Sequence, residues 1–214
     1  MKRLVFIVEG DTEIILVQNI IVPYLIERGF RNAMHAQTIT TNRKQHKKGG
    51  VSGYLKFKNE VTRTLAQGNV IITSFIDFFK LPTDFPAYTS DSTKIAQIEQ
   101  AIHDDFHNNP AFIPYIQRHE LEALMFSGRE GFDLVIDDLE KLNQIDEILE
   151  AYSNPEDINN HPDTAPSKRL IKIFGYDKVT DGELILDILG IDKMIDKCPR
   201  FAEWLNKIII KLSD

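Results

Sequence analysis

The chain has 214 residues, a net charge of −7 and one cysteine, Cys198. That length suits one sizeable domain, or one domain with a helical appendage, and the lone cysteine excludes an internal disulfide and a zinc-finger framework while suiting a reducing, cytoplasmic setting. The acidic total counts against a protein that binds nucleic acid over its whole surface, and the absence of a long apolar run gives no reason to expect a membrane partner.

The opening "RLVFIVE", residues 3–9, is apolar almost throughout, as a strand buried on both faces should be. Acids follow it at once, so the start reads as a first β-strand rather than a signal peptide. "TEIILVQNIIVPYLIERG" predicts a helix that Asp11 or Thr12 can cap, that Pro23 kinks and that Gly29 ends. "AMHAQTITT" is a second strand. After it comes a basic strip, with Arg43, Lys44, Lys47, Lys48, Lys56, Lys58 and Arg63 against the single acid Glu60. Such a strip can hold a phosphate backbone while the rest of an acidic protein stays soluble, although charge runs are usually solvated faces. "GYLKFKNEVTRTLAQG" predicts a second helix, "NVIITSFIDFF" a third strand, "STKIAQIEQAIHDDF" a third helix, "AFIPYIQ" a weaker fourth strand and "HELEALMFS" a short helix.

Strands alternating with helices predict an α/β fold: a parallel sheet of about four strands flanked by helices over residues 1–130. From about Gly131 the strands stop, and residues 131–214 read as a helical C-terminal part packed on that domain. Residues 153–167 are polar, carry three prolines and read as a mobile or ligand-ordered loop.

In a parallel sheet the strands end on one side, and ligands bind there. Glu9 ends the first strand, Asp77 the third, and Glu120 and Glu122 follow the fourth, so these acids are expected to converge. Each also has a plainer reading. Asp11 and Glu13 suit a helix N-terminus, where they offset the macrodipole, and Lys80 can neutralise Asp77. Glu120 and Glu122 stand two apart, so a helix there would send only one into the site. Gly10 would let the chain turn beside Glu9. A buried carboxylate needs a cation, and oxygen ligands without paired Cys or His suit Mg2+ or Mn2+. His119 lacks a second histidine four residues on, which argues against a zinc protease. In "APSKRLIKIFG", Lys168 and Arg169 open a helix whose free amides favour an anion. Phe201, Trp204, Leu205 and Ile208 recur at helical spacing and read as core.

"VEGDTE", a strand ending in Glu-Gly before a helix, resembles the opening motif of TOPRIM domains of topoisomerases, primases and OLD-family nucleases. The second TOPRIM motif has two aspartates one residue apart. "IDFFKLP" supplies Asp77, but Phe79 fills the second place. The whole chain also looks like an uncharacterised bacterial TOPRIM-like family often described beside AAA-type ATPases, through "FIVEGDTE", "KKGGVSGY", "IDFFKLP", "RHELEALMFS", "PSKRL" and "CPRFAEWL". The resemblance implies a stand-alone TOPRIM-like domain, and a lysine such as Lys168 steadying the phosphate as it does in OLD-type nucleases. Two functions stay open. One is a metal-dependent nuclease in which Glu9 is general base or metal ligand, Asp77 with Glu120 or Glu122 holds the ion, and Arg43, Lys44, Lys47, Lys48, Lys56 and Arg169 grip nucleic acid. The other is a catalytically degenerate binding or regulatory subunit serving an AAA-type ATPase.

Overall fold

A computed structural model describes residues 1–42, 47–48, 51–158, 161 and 163–214, with backbone only at 40–42 and 47–48. The first strand, β1 (Arg3–Val8), leads into α1 (Asp11–Ile15), a π-helical segment (Leu16–Ile21) and α2 (Val22–Glu27). The predicted kink takes the form of that π segment: Pro23 has no N–H to close a regular turn, and Val22 N–H reaches back five residues to Val17. Gly29, at φ +93°, ends the helix as expected.

Next come β2 (Met34–Thr38), the short pair β3 (Thr40–Asn42) and β4 (Lys47–Lys48), α3 (Tyr54–Leu65) and β5 (Val70–Asp77). A 3-10 turn then opens α4 (Ile95–Asp105). The predicted fourth strand is two: β6 (Phe112–Ile113) and β7 (Ile116–Gln117) flank Pro114, and each pairs in parallel with β5. The sheet therefore has five strands, in the order β2-β1-β5-β6 with β7 also on β5, and the pairings of β1 with β2 and β5 are parallel as well.

The remaining elements are helical: α5 (Glu122–Met125), α6 (Glu130–Val135), α7 (Leu139–Ala151), α8 (Pro166–Phe174), α9 (Thr180–Leu189), α10 (Ile191–Lys197) and α11 (Pro199–Ser213). The helical stretch between Glu130 and Ala151 is two helices, because Asp138 caps α7, its side chain accepting the N–H groups of Glu140 and Lys141.

The period-two alternation of β1 divides the core. Leu4, Phe6 and Val8 face one side, and Val5 and Ile7 the other. The second side is covered by α3 and α4 through Phe57, Val61, Ile95 and Ile98. On the first side α1 and its π extension share a core with the C-terminal helices, through residues such as Phe132, Leu186 and Phe201. Trp204 stacks on Tyr115, with ring centroids 4.6 Å apart, and its Nε1–H donates to the Thr73 hydroxyl at 2.7 Å. The aromatic spacing of α11 is thus core, as read.

The described part of the 153–167 loop is anchored rather than free. Buried Glu156 accepts the N–H groups of Arg200 at 2.9 Å and Phe201 at 3.1 Å, closing the first turn of α11. No helix among the described residues is long and apolar enough to cross a membrane.

Candidate acidic site at the carboxyl edge of the sheet

The register sets the site. Val8 at the end of β1 pairs with Phe75 of β5 and with Thr38 of β2, so the strands run out together. Beyond them the expected acids converge, held by amides of neighbouring strand ends. Glu9 Oε2 accepts the N–H of Asp77 at 3.3 Å. Asp77 Oδ1 accepts the N–H of Leu121 at 3.1 Å. Glu120 takes both donors of Ser167, the hydroxyl at 2.9 Å and the N–H at 3.0 Å. The anion at the start of α8 is therefore the protein's own Glu120.

Several expectations change here. Glu120 and Glu122 both enter the site, because α5 begins at Glu122 and Glu120 lies before it, outside the helical geometry that would have splayed them. A left-handed turn at His119, φ +68°, brings Glu120 round to the edge. The His119 ring is buried, without a hydrogen bond among the described residues, and burial lowers its pKa to about 4. Lys80 does not neutralise Asp77. It is exposed, with its ammonium 5.0 Å from the Phe79 ring centroid.

Glu13 is not an exposed cap. Its Oε2 accepts the Gly10 N–H at 2.7 Å, the backward arm of a capping box, while the side chain is buried among the acids. Gly10 itself is the N-cap and is extended, φ −152°, so positive φ does not require it. A Cβ there would sit 3.2 Å from Glu13 Oε2. Asp11, the first helical residue, is exposed.

The cation is the side chain that sequence reading missed. Lys178, in the turn between α8 and α9, lies 2.8 Å from Glu122 Oε1, and Glu122 is 0 % exposed. Lys168, by contrast, is exposed on the first turn of α8 beside Ser167. Arg169 is half-buried, with Nε donating to the Thr164 carbonyl at 2.8 Å. Lys56 is exposed on α3 and hydrogen-bonds the Ser52 hydroxyl at 2.8 Å. Arg43 and Lys44, and the side chains of Lys47 and Lys48, lie outside the described residues. The chain that follows them, however, meets the site, since the Val51 N–H donates to Glu9 Oε1 at 3.4 Å.

Five carboxylates, Glu9, Glu13, Asp77, Glu120 and Glu122, thus gather near one lysine among the described residues. Electrostatics follow from that imbalance. Burial, then the charge of Glu9, raises the pKa of Glu13 to about 7. Burial also raises Glu9 and Glu120, and raises Asp77 well above the carboxylate range with Glu13 and Glu9 adding to it. The acids together hold Lys178 above its ordinary value, Glu122 foremost, against the opposing effect of burial. Among the described residues no group of three or more His, Cys, Asp or Glu side chains stands ready-made as a metal cage. A largely apolar groove of about 510 Å3 between α4 and α11, lined by Glu99, His103, Phe112 and Ile210 among others, contains none of these acids.

The chain belongs to the family described as a domain of unknown function, DUF4276, whose profile matches residues 8–209. No curated protein and no solved structure matches the chain.

Proposed function

We propose, since the family carries no assigned activity, that the acidic edge is the working site of a divalent-cation-dependent phosphodiester hydrolase acting on nucleic acid. One observation carries the reading: five carboxylates gathered at three strand ends and the start of α1 face one lysine among the described residues. Burying that much like charge is costly unless cations balance it. The donors are hard oxygens with no thiol and no partnered imidazole among them, a set that fits Mg2+ or Mn2+. Glu9, Asp77 and Glu122 would hold the ion in exchange for their present partners, with Glu120 steadied by Ser167. A bound ion would lower the pKa of attacking water and stabilise the leaving oxygen of the phosphodiester.

The chain's own groups supply the rest. Glu9, raised in pKa and hydrogen-bonded at the strand end, is placed to take a proton from water. The basic strip leads directly into Val51 at the site, which suits a backbone-gripping role for Arg43, Lys44, Lys47, Lys48 and Lys56. Lys168 and Arg169 flank the Ser167 contact to Glu120, near enough in sequence to meet a phosphate there. The resemblance of "VEGDTE" and "IDFFKLP" to TOPRIM motifs supports the same reading. Phe79, in place of the second motif aspartate, favours the alternative of a degenerate binding subunit beside an AAA-type ATPase. Glu120 and Glu122 weaken that objection by restoring the acidic count.

The test is Mn2+ titration by calorimetry, together with cleavage assays on single- and double-stranded DNA and RNA, for wild type and Glu9→Gln. Mn2+ binding and cleavage that both fall in the variant support the hydrolase. Mn2+ binding without cleavage of any substrate turns the reading to the binding subunit. No Mn2+ binding refutes the metal site.

A further inference from the structure

Lys178 is held in an unusual way. Its backbone is fixed: Asp177 Oδ1 accepts the N–H groups of Val179 at 3.0 Å and Thr180 at 2.9 Å and the Thr180 hydroxyl at 2.6 Å. The Asp177 N–H in turn donates to Asp181 Oδ2 at 2.7 Å. This reciprocal capping of α9 pins the Cα of Lys178 at the rim of the site. The side chain is different. Its tip touches Glu122, which is 0 % exposed, yet 47 % of the lysine side chain faces water. A long flexible stem with an open route to solvent can withdraw without moving the backbone.

What lies behind the ammonium points to a ligand. Glu122 Oε1 meets the ammonium at 2.8 Å, but Glu122 Oε2 and the Tyr176 hydroxyl have no hydrogen-bond partner among the described residues, although Glu122 is fully buried and Tyr176 is only 5 % exposed. Tyr176 is close enough to Glu122 and Glu120 to feel their charge. Buried polar atoms are nearly always partnered. Here they are grouped at one place, behind a single displaceable lysine.

We infer that Lys178 is a tethered counter-cation: its ammonium balances the carboxylates until a divalent ion displaces it, so Lys178 sets the ion concentration at which the site loads. The inference rests on the metal reading above and adds a regulatory element to it. An ion and an ammonium compete for the same charge, and the tether keeps the local concentration of the competitor high. Removing the ammonium while keeping an apolar stem must therefore favour the ion.

Calorimetric titration with Mn2+ compares wild type with Lys178→Met. Binding should tighten by about tenfold or more, equivalent to about 1.4 kcal/mol. In wild type, brief acylation with acetic anhydride followed by peptide mass spectrometry reads the lysine directly and needs no variant to fold. Mn2+ should raise the labelling of Lys178 several-fold relative to exposed Lys172. If wild type binds Mn2+ but Lys178→Met binds no tighter, or Mn2+ leaves Lys178 labelling unchanged or lowers it, the counter-cation inference is overturned and the metal site stands. If neither protein binds Mn2+, both readings fall.

Discussion

Raising the pH from 5 to 8 without divalent ions should destabilise this protein through its buried carboxylates, and Glu13 is the one whose share can be worked out. Its carboxyl is buried beside Glu9, and its pKa rises from 4.5 to about 7. A folded-state pKa above the unfolded one means that the native state holds the proton longer. The associated stability is complete below pH 4.5 and is lost as pH climbs through about 7. At about 1.4 kcal/mol for each pKa unit, the full loss is about 3 kcal/mol. For a chain of this size that lowers Tm by roughly 6–12 °C. Glu9, Asp77 and Glu120 are raised too and act in the same direction, whereas buried His119, lowered to about 4, acts in the opposite one, so the difference between wild type and Glu13→Gln is what isolates Glu13. The assay is a series of thermal melts from pH 5 to 8 in EDTA, for wild type and Glu13→Gln. Glutamine keeps the oxygen that accepts the Gly10 N–H but cannot ionise, so the variant should match wild type at pH 5 and exceed it at pH 8. A variant no more stable than wild type at pH 8, or an advantage that does not grow between pH 5 and pH 8, would refute the reasoning.

Glu9→Gln should abolish Mn2+ binding and any metal-dependent cleavage without unfolding the chain, whereas Asp11→Asn should change neither, because Asp11 is exposed on the first turn of α1; calorimetry and cleavage assays separate the two. Glu156→Ala removes the acceptor of two amides at the start of α11 and should cost about 2–5 kcal/mol in urea unfolding, since buried unpaired donors cost about 1–3 kcal/mol each. Gly182→Ala would set a Cβ 2.8 Å from the Tyr176 hydroxyl and should destabilise by about 1–3 kcal/mol, read by the fluorescence of the single tryptophan, Trp204.

The parts of the site that were legible in the sequence are those fixed by the ends of strands. An apolar run that stops on an acid, as at Glu9 and Asp77, marks the carboxyl edge of a parallel sheet, and both residues lie there. The unbroken apolar run of "RLVFIVE" likewise marked a strand buried on both faces, as the two core clusters on either side of it show. The parallel sheet of about four strands is there as expected, with the last strand split in two around Pro114. Lys178, Ser167 and Tyr176 were not found because their roles depend on where the C-terminal helices dock, which no local periodicity records. "DKVT" did carry a signal: an Asp three residues before a Thr marks a cap, which fixes the lysine between them. Glu13 serves its helix start as read, but its place in the acidic cluster was not legible, because a capping position looks the same whether its helix end faces water or four other carboxylates.

The way the acids are held accounts for both the persistence of the cluster and the difficulty of reading it. Glu9 is fixed by the amide of Asp77, Asp77 by the amide of Leu121, and Glu120 by the amide of Ser167. A backbone N–H donates whatever side chain its residue carries, so these links leave no mark in residue choice at the donor positions. The first depends on strand register, and the last on where α8 docks. A one-residue slip of β5 against β1 would detach Glu9 from Asp77 and turn Asp77 to the opposite face, toward Phe57 and Ile95. The same apolar packing that fixes the register therefore also fixes the carboxylates, and the free energy that holds like charges together comes from the core beneath them. That coupling is why neutralising one acid should raise stability while emptying the edge of its function.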